Sequence, residues 1–365
     1  MTAQVQGGLP SLHVSILPRY LKEMKKDIWV DDPQPAKLEI DDEQHTIKFS
    51  FRGNYTRKLE KKSYQVLFLK PSHKFGAKEL HLNAEYLDPS MIRNKLSLDF
   101  FNRLGVLTPD AKHVRLFINK KYKGVYLQLE SVDQYFLKSR GLPNGPIYYA
   151  INDDANFSLL TEEKNIKKSL ETGYQQKIGC KEDDGFLREL IYKINSIPRQ
   201  NFREEIVKYV DVTTYIHWLI GVLCTQNYDG FTHNYALYRN SETGLFAMIP
   251  WDYDGTWGRD YRAKPMNYDY VPIHGFNTLT ARILDVAEFR QYYQQKLGEI
   301  LESEFTVNYL APIINRLYES LRPHVIEDPH KAKAISDFDR EPEYIIEFIR
   351  KRNRYLLENL SELDG

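Results

Sequence analysis

Two aspartates and one asparagine are spaced along the chain as phosphoryl transfer from ATP requires. Asp229 and Asn234 lie five residues apart in NYDGFTHN, and Asp252 follows in PWDYDG. In such a site one Asp orients the attacking hydroxyl, an Asn a few residues later binds a metal ion, and a second Asp binds the Mg²⁺ that bridges the phosphates. Mg²⁺ prefers oxygen ligands of this kind. On this interpretation Asp229 would be the catalytic acid, and Asp252 and Asn234 would be metal ligands.

The same residues have two other interpretations. Asp and Asn are common in turns because their side chains bond to their own backbone, and Asp252 and Asp254 could be solvated loop acids. Asp229 and Asp252 could also act as the carboxylate pair of a hydrolase, which would need neither ATP nor a divalent metal. Spacing alone does not separate these interpretations.

A lysine in the N-terminal half is expected to meet the nucleotide phosphates. In KKSYQVLF, strand alternation places Lys62 on the apolar face with Tyr64 and Val66, whereas Lys61 lies on the opposite face. A buried ammonium group needs an anionic partner, and a phosphate is one. The alternative is that both lysines belong to a solvated charge run at the start of a strand.

Three further residues are candidates for the nucleotide site. Arg52 precedes Gly53-Asn54, a turn that could cover phosphates. Arg93 lies near the start of a helix, just after two acidic residues, and the alternative for it is a surface ion pair. Glu130 ends the last N-terminal strand, where backbone groups would meet an adenine ring.

The elements that must position these residues change near residue 130. Before it, apolar and polar residues alternate in short runs broken by Gly and Asn, which is typical of an antiparallel sheet. After it, apolar residues recur at helical spacing, apart from a polar segment at 152–185 and one hairpin at 235–239 and 245–249. Helices are expected at 91–104, at 134–137, along the apolar stripe of 215–223 that Asp211 precedes, and at 289–301, 308–321 and 342–360. The sequence predicts an α+β fold with a β-rich N-terminal lobe (1–130) and a mainly helical C-terminal lobe (131–365).

Composition argues against several classes of protein. Fifty Lys and Arg residues balance fifty Asp and Glu residues, whereas nucleic-acid binders usually carry a basic excess. Two cysteines are too few for a disulfide framework and fit a reducing compartment. The most apolar run, 215–224, is about half as long as a bilayer requires. We expect no nucleic acid and no membrane as partner, and a cytoplasmic location.

Five segments resemble the CotH family of bacterial spore coat proteins, which are atypical protein kinases. They are HLNAEYLDPSMIRNKLSLDFF, GVYLQLESVDQYFL, NYDGFTHNYALYRN, IPWDYDGTWGRD and GFNTLTARIL. The resemblance extends from about Ile16 to Leu360. It implies a reduced, two-lobed protein-kinase-like fold, ATP and Mg²⁺ as cofactors with Mn²⁺ as an alternative metal, and serine residues of other coat proteins as substrates.

Carried over by position, the resemblance implies that Asp229 is the catalytic acid, Asp252 and Asn234 bind metal, and Lys62 is the nucleotide lysine. The sequence departs from ordinary kinases in three ways. No His-Arg-Asp triplet is present, since Asn227-Tyr228 precedes Asp229. Asp252-Tyr253-Asp254 replaces Asp-Phe-Gly, and no glycine-rich G-x-G-x-x-G loop is present. The phosphates must therefore be held differently, and a share of Asp254 in the metal site is left open.

The resemblance leads to two alternative expectations of function. The first is a serine kinase that acts on basic, Ser-rich spore coat proteins, in the cytoplasm of the mother cell and then in the spore coat. The second is a coat pseudokinase that serves as a scaffold without turnover. The complete set of Asp229, Asn234 and Asp252 favours the first, because a scaffold has no need of metal ligands.

Overall fold

The computed structural model describes residues 8–41, 43–72 and 75–364. These residues form two compact units, neither of which is continuous in sequence. The first unit consists of the residues up to Lys95, Asp110–Ser131 and Ile313–Pro342. The second unit consists of Leu96–Pro109, Val132–Pro312 and the residues from Glu343 onwards.

The two units differ from the lobes expected at 1–130 and 131–365. The passage from Ser131 to Val132 lies next to the expected boundary, but each unit also takes up residues from the other side of it. Hydrophobic periodicity identifies an element and its buried face, but not the unit against which that face packs. The broader prediction of an α+β fold, with a β-rich N-terminal region and helices later, is confirmed.

The first unit contains a closed barrel with the strand order β1-β2-β3-β4-β5-β7-β6. The helix α1 (Pro18–Lys26) follows the first strand. The strands are β1 (Ser11–Ile16), β2 (Gln34–Ile40), β3 (Glu43–Arg52), β4 (Ser63–Ser72), β5 (Ala77–Asn83), β6 (Ala111–Ile118) and β7 (Lys121–Glu130).

Closure of the barrel depends on one parallel contact. The strands β1 and β6 run parallel, from the pair Ser11 and Arg115 to the pair Val14 and Ile118, whereas all other neighbours are antiparallel. This contact gives each terminal strand of the sheet a partner and removes two exposed edges. The expected antiparallel sheet is therefore corrected to a mixed, closed barrel.

Alternate residues of the strands fill the barrel interior. In β2, Ala36, Leu38 and Ile40 are buried while the residues between them are exposed. Phe49 and Val66, which pair across β3 and β4, are both fully buried. Each buried side chain of this size stabilises the fold by about 1.5–3 kcal/mol.

The second unit contains a four-stranded sheet with the order β11-β10-β8-β9. Its strands are β8 (Ile147–Ala150), β9 (Tyr174–Ile178), β10 (Tyr235–Arg239) and β11 (Phe246–Pro250). The expected hairpin is present as β10 and β11. The two additional strands were not expected, since β9 lies in a polar segment without a clear alternation.

Nine further helices are described. They are α2 (Arg93–Arg103), α3 (Gln134–Ser139), α4 (Asp184–Ser196), α5 (Phe202–Ile206), α6 (Val212–Thr225), α7 (Thr278–Leu284), α8 (Ala287–Glu302), α9 (Val307–Val325) and α10 (Ile335–Glu358). The expected helices correspond to α2, α3, α6, α8, α9 and α10. Among the residues described, none of the helices has the length and apolar character of a membrane span.

The helix α6 forms the centre of the second unit. Asp211 caps its N-terminus by accepting a hydrogen bond from the Thr214 backbone N–H at 3.1 Å. Nearly all of its later residues are buried. A Cβ atom at Gly221 would lie 2.2 Å from a ring carbon of Phe101, so only glycine allows this close approach.

We predict that Gly221→Ala destabilises the protein. Because the added methyl group would overlap the Phe101 ring, we expect the free energy of unfolding to fall by about 2 kcal/mol. Gly185→Ala in α4 is the matched control, since a Cβ there would meet no atom within 4 Å. Urea denaturation of both variants measures the difference. Equal unfolding midpoints for the two would contradict the close contact.

Candidate active site

The C-terminus of α6 determines where the candidate catalytic loop begins. Gln226 adopts a left-handed conformation with φ of 56°. Its backbone N–H donates to the Leu223 carbonyl at 3.2 Å, and the Asn227 N–H donates to the Val222 carbonyl at 3.2 Å. This pair of bonds is a Schellman ending, which stops the helix and turns the chain. Asp229 lies two residues after Asn227 in the chain.

Two distant segments bond to the same helix end. The Trp257 backbone N–H donates to the Thr225 carbonyl at 2.9 Å. The buried guanidinium of Arg352 donates to the Leu223 carbonyl at 3.0 Å. The carbonyl groups that a helix leaves without partners are thereby satisfied. The catalytic loop and the segment that follows β11 are thus both fixed to the end of α6.

The hairpin brings the two expected metal ligands to one end of the sheet. The last register pair of β10 and β11 is Tyr235 and Pro250, and beyond it the Trp251 N–H donates to the Asn234 carbonyl at 3.0 Å. Asn234 and Asp252 therefore flank the open end of the hairpin. Both have φ of 59°, in the left-handed region that non-glycine residues rarely adopt.

The residues at this end fit a Mg²⁺ ion that arrives with a nucleotide. Mg²⁺ commonly takes one or two carboxylates, phosphate oxygens and water, and Asp252 with Asn234 supplies one carboxylate and one amide. Asp252 is exposed, whereas the neighbouring Tyr253 is fully buried against Phe101 with a ring distance of 4.9 Å. In the part of the chain that is described, no three His, Cys, Asp or Glu side chains cluster as a metal site. The metal role of Asp252 and Asn234 remains a prediction.

Asp229 begins the short 3-10 helix Asp229–Phe231, and its side chain is 28% exposed. Burial raises the pKa of its carboxyl group, and the charges of Asp153, Asp252 and Asp260 raise it further, while His233 opposes the shift. A carboxylate with a raised pKa is a better proton acceptor. Asp252 is thus within electrostatic reach of Asp229.

His233 and Asp153 belong to this site but were not found from the sequence. The Nε2 atom of His233 lies 3.9 Å from Oδ2 of Asp229, and its Nδ1 atom lies 2.9 Å from Oδ1 of Asp153. The Thr232 hydroxyl donates to the same Asp153 oxygen at 2.6 Å. His233 stood inside the recognised motif, so its type could have signalled a role. No sequence pattern indicated Asp153, because it lies far from His233 along the chain.

The expectation that Lys62 is the buried lysine is wrong. The strand β4 begins only at Ser63, so its alternation does not extend back to the lysines. Lys62 is half-buried and donates to the carbonyl groups of Arg57 and Leu59, both at 2.6 Å. Its contact with a nucleotide remains a prediction.

The buried lysine is Lys61, which pairs with Asp328 inside the first unit. Its Nζ atom lies 2.9 Å from the Asp328 carboxylate and 2.5 Å from the Val125 carbonyl, and both charged side chains are fully buried. Burial lowers the pKa of Lys61, and the Asp328 charge opposes this shift. Gly124 makes the approach possible, because a Cβ there would lie 2.1 Å from the Asp328 carboxylate.

The proposed surface ion pair of Arg93 is also corrected. Arg93 is fully buried, with its guanidinium 2.6 Å from Asp88 and 2.6 Å from Glu341. Two carboxylates therefore neutralise its charge inside the first unit. The role of Arg93 in cofactor binding remains a prediction.

Arg52 and Glu130 lie at the ends of barrel strands. Arg52 ends β3 and donates to the side-chain oxygen of Asn83. Glu130 ends β7, and its carboxylate accepts a hydrogen bond from the Asp110 backbone N–H at 3.0 Å. Their contacts with phosphate and adenine remain predictions.

Comparison with known proteins identifies the family. The model of the family described as CotH kinase protein matches residues 49–356. The chain is 52% identical over 359 residues to the inner spore coat protein H of Bacillus subtilis (strain 168), covering 98% of this chain and 99% of that protein. The chain belongs to the CotH family.

A more distant relative and one solved structure were also found. The CotH-family chain is 26% identical over 307 residues to the inner spore coat protein H-like protein of Bacillus subtilis (strain 168), covering 84% of this chain and 88% of that protein. A chain of the HipA, HipB and operator DNA complex of Shewanella oneidensis MR-1 is 12% identical, with coverage of 98% of this chain and 75% of that one. Its TM-score is 0.35, which is too low to indicate a shared fold.

We predict that the two adjacent lysines differ strongly in their effect on stability. Lys61→Met leaves the Asp328 carboxylate buried without its cation, so we expect a loss of about 3 kcal/mol in the free energy of unfolding. Lys62→Met removes hydrogen bonds from a half-exposed lysine and should cost about 1 kcal/mol or less. Urea denaturation compares the two variants. A larger loss for Lys62→Met would contradict the corrected assignment.

Proposed function

We propose that this CotH-family protein is an ATP-dependent protein kinase that phosphorylates serine residues of spore coat proteins. The observation that carries the proposal is the open end of the hairpin, which Asn234 and Asp252 flank, with Asp252 within electrostatic reach of Asp229. One proton acceptor beside two oxygen ligands is the arrangement that phosphoryl transfer requires. The family description as a kinase supports the same class of reaction.

Asp229 is the residue that we propose acts on the substrate hydroxyl. Its partly buried carboxylate accepts the hydrogen bond of the serine O–H and takes the proton late in the transfer. His233 and Asp153 hold the loop in which this carboxylate lies. Positioning supplies most of the rate, since the transition state is loose and needs little covalent assistance.

Asp252 and Asn234 are the residues that would bind Mg²⁺, with Mn²⁺ as the alternative. The bound ion would neutralise charge on the β- and γ-phosphates. The left-handed backbone at both residues fixes the directions of their side chains before the nucleotide binds. Such preorganisation lowers the cost of assembling the site.

For the nucleotide we keep Lys62 as a proposed contact and add Lys61 as its alternative. A lysine held by a carboxylate is the form in which kinases present the cation that meets the phosphates, and Lys61 is held by Asp328. Arg52, Arg93 and Glu130 remain further proposed contacts, supported by their positions in the sequence alone.

The proposed partners are basic, Ser-rich coat proteins. The Bacillus subtilis relative is named as a protein of the inner spore coat. We therefore place this chain first in the cytoplasm of the mother cell and then in the spore coat. A polypeptide rich in serine and positive charge fits a site that contains several carboxylates.

Transfer of labelled γ-phosphate to a basic, Ser-rich protein tests the reaction. We expect Asp229→Asn to reduce transfer by about 10³-fold while ATP affinity stays near that of the wild type, because the proton acceptor is lost. Asp252→Asn should reduce transfer and also weaken Mg²⁺-dependent ATP binding. Asp154→Asn is the matched control, since its carboxylate accepts only from the Glu162 N–H at 2.8 Å among the contacts described.

The outcomes separate the alternatives clearly. Transfer that persists in Asp229→Asn would remove this residue from the mechanism. ATP binding without any transfer by the wild-type protein would support the scaffold. Hydrolytic activity without ATP would favour the carboxylate-pair hydrolase instead.

We also predict that Asp153→Asn impairs transfer through His233. The substitution removes the charge that holds the Nδ1 atom of His233 and the Thr232 hydroxyl. We expect kcat to fall about tenfold, in line with the loss of a hydrogen bond to a charged group. The KM for ATP should stay within about twofold. Steady-state kinetics, with Asp154→Asn alongside, measure the effect, and an unchanged kcat would contradict it.

A further inference from the structure

Three aromatic rings at the surface of the second unit adjoin the candidate catalytic residue. Tyr228, Tyr270 and Phe276 form this aromatic cluster, and their exposed fractions are 46%, 52% and 37%. Tyr228 precedes Asp229 in the chain. Its ring lies 5.4 Å from that of Tyr270 and 5.4 Å from that of Phe276, edge to face in both cases.

The aromatic cluster is held by well-packed neighbours. Phe276 also packs edge to face against the fully buried Phe231, with a ring distance of 5.4 Å. The Asn277 side chain donates to the Phe231 carbonyl at 3.0 Å and accepts from the Thr280 N–H at 2.8 Å. Gly275, with φ of 61°, brings the chain so close that a Cβ there would lie 2.7 Å from the Phe231 ring. Exposed apolar rings fixed in this way mark an interaction site.

Negative charges act on Tyr228, the member of the aromatic cluster that precedes Asp229. Burial raises the pKa of Tyr228, and Tyr270 and the charges of Asp153, Asp229 and Glu162 raise it further. Three carboxylates are therefore within electrostatic reach of the Tyr228 hydroxyl. Aromatic faces attract cations, and nearby negative charge strengthens that attraction.

A cavity of about 570 Å³ adjoins the aromatic cluster, since Phe276 lines it. A polypeptide lying on the rings therefore has room to extend into it. The cavity carries charges of both signs, with the carboxylates of Asp285 and Glu362 and the guanidinium of Arg290 in its lining.

We propose that the aromatic cluster binds a lysine or arginine side chain of the substrate polypeptide, close in sequence to the serine that is phosphorylated. The inference rests on the proposed function, because Asp229 marks where that serine lies. Tyr270 and Tyr228 are then residues that determine specificity, and Asp229 remains the catalytic one.

A cation fits this surface better than an apolar side chain. An apolar side chain would cover the rings but would also remove water from the carboxylates of Asp153, Asp229 and Glu162, which is costly. A guanidinium group stacks on an aromatic face while its N–H groups stay directed at carboxylates. Arginine should therefore bind more tightly than lysine.

Binding of two fluorescent peptides to the full chain, measured by anisotropy without ATP, tests the proposal. One peptide carries a serine with arginine on each side within three residues, and the other carries citrulline, which is neutral and similar in shape. We expect the arginine peptide to bind wild-type protein about tenfold more tightly. Tyr270→Ala should reduce the preference to about twofold or less, and Tyr270→Phe should keep it, because the ring is retained. Tyr270 is half-exposed, so neither variant should disturb folding.

Three results would overturn the proposal. They are equal binding of both peptides to the wild-type protein, a charge preference that survives in Tyr270→Ala, and no peptide binding at all. Self-association that disappears in Tyr270→Ala, seen by sedimentation without a charge preference, would assign the surface to a second copy of this chain.

Phosphate transfer to the same two peptides separates this inference from the proposed function. Transfer to both peptides with equal kcat/KM would leave the kinase standing and reject the cation site. A charge preference in binding that depends on the Tyr270 ring, without transfer to either peptide, would support the cation site and reject the kinase.

Discussion

The end of α6 is the junction on which the candidate site depends. The Leu223 and Thr225 carbonyl groups there accept bonds from Gln226, Arg352 and Trp257. These donors come from the catalytic loop, from α10 and from the segment beyond β11. A helix end without partners would cost free energy for each buried carbonyl group, so the three segments are held where their bonds are made. The segments that carry Asp229 and the acids after β11 are therefore anchored to the same two carbonyl groups.

Asn234 and Asp252 adopt the left-handed backbone conformation at the hairpin end, and the metal role proposed for them would account for side chains other than glycine there. Left-handed residues other than glycine cost about 1–3 kcal/mol when the surroundings impose them. Glycine would remove this cost at either position, but it carries no side-chain oxygen. The chain keeps an amide and a carboxylate in places where glycine would be easier to accommodate, and the pairing of β10 with β11 maintains them. Functional sites are where such local conflicts are expected.

Local patterns in the sequence predicted local structure well. The hairpin, α2 and the later helices follow from period-two and helical spacing, and the recognised segments gave the family. Alternation predicted the wrong buried lysine at Lys61 and Lys62. The strand β4 begins only at Ser63, and alternation does not predict which side chains are buried outside a strand. The parallel contact of β1 with β6 and the position of Asp153 beside His233 depend on residues far apart in the chain. Single-sequence periodicity contains no information about such contacts.

The interleaving of the two units has a consequence for synthesis on the ribosome. The barrel strands are complete once Glu130 has been made, but Lys61 and Arg93 await Asp328 and Glu341 from a segment that emerges some two hundred residues later. Until then Lys61 lacks its buried carboxylate and Arg93 lacks one of its two, so the first unit cannot reach its final stability. Translation of most of the second unit therefore precedes completion of the first. The first unit is thus completed only after Asp328 and Glu341 have been made.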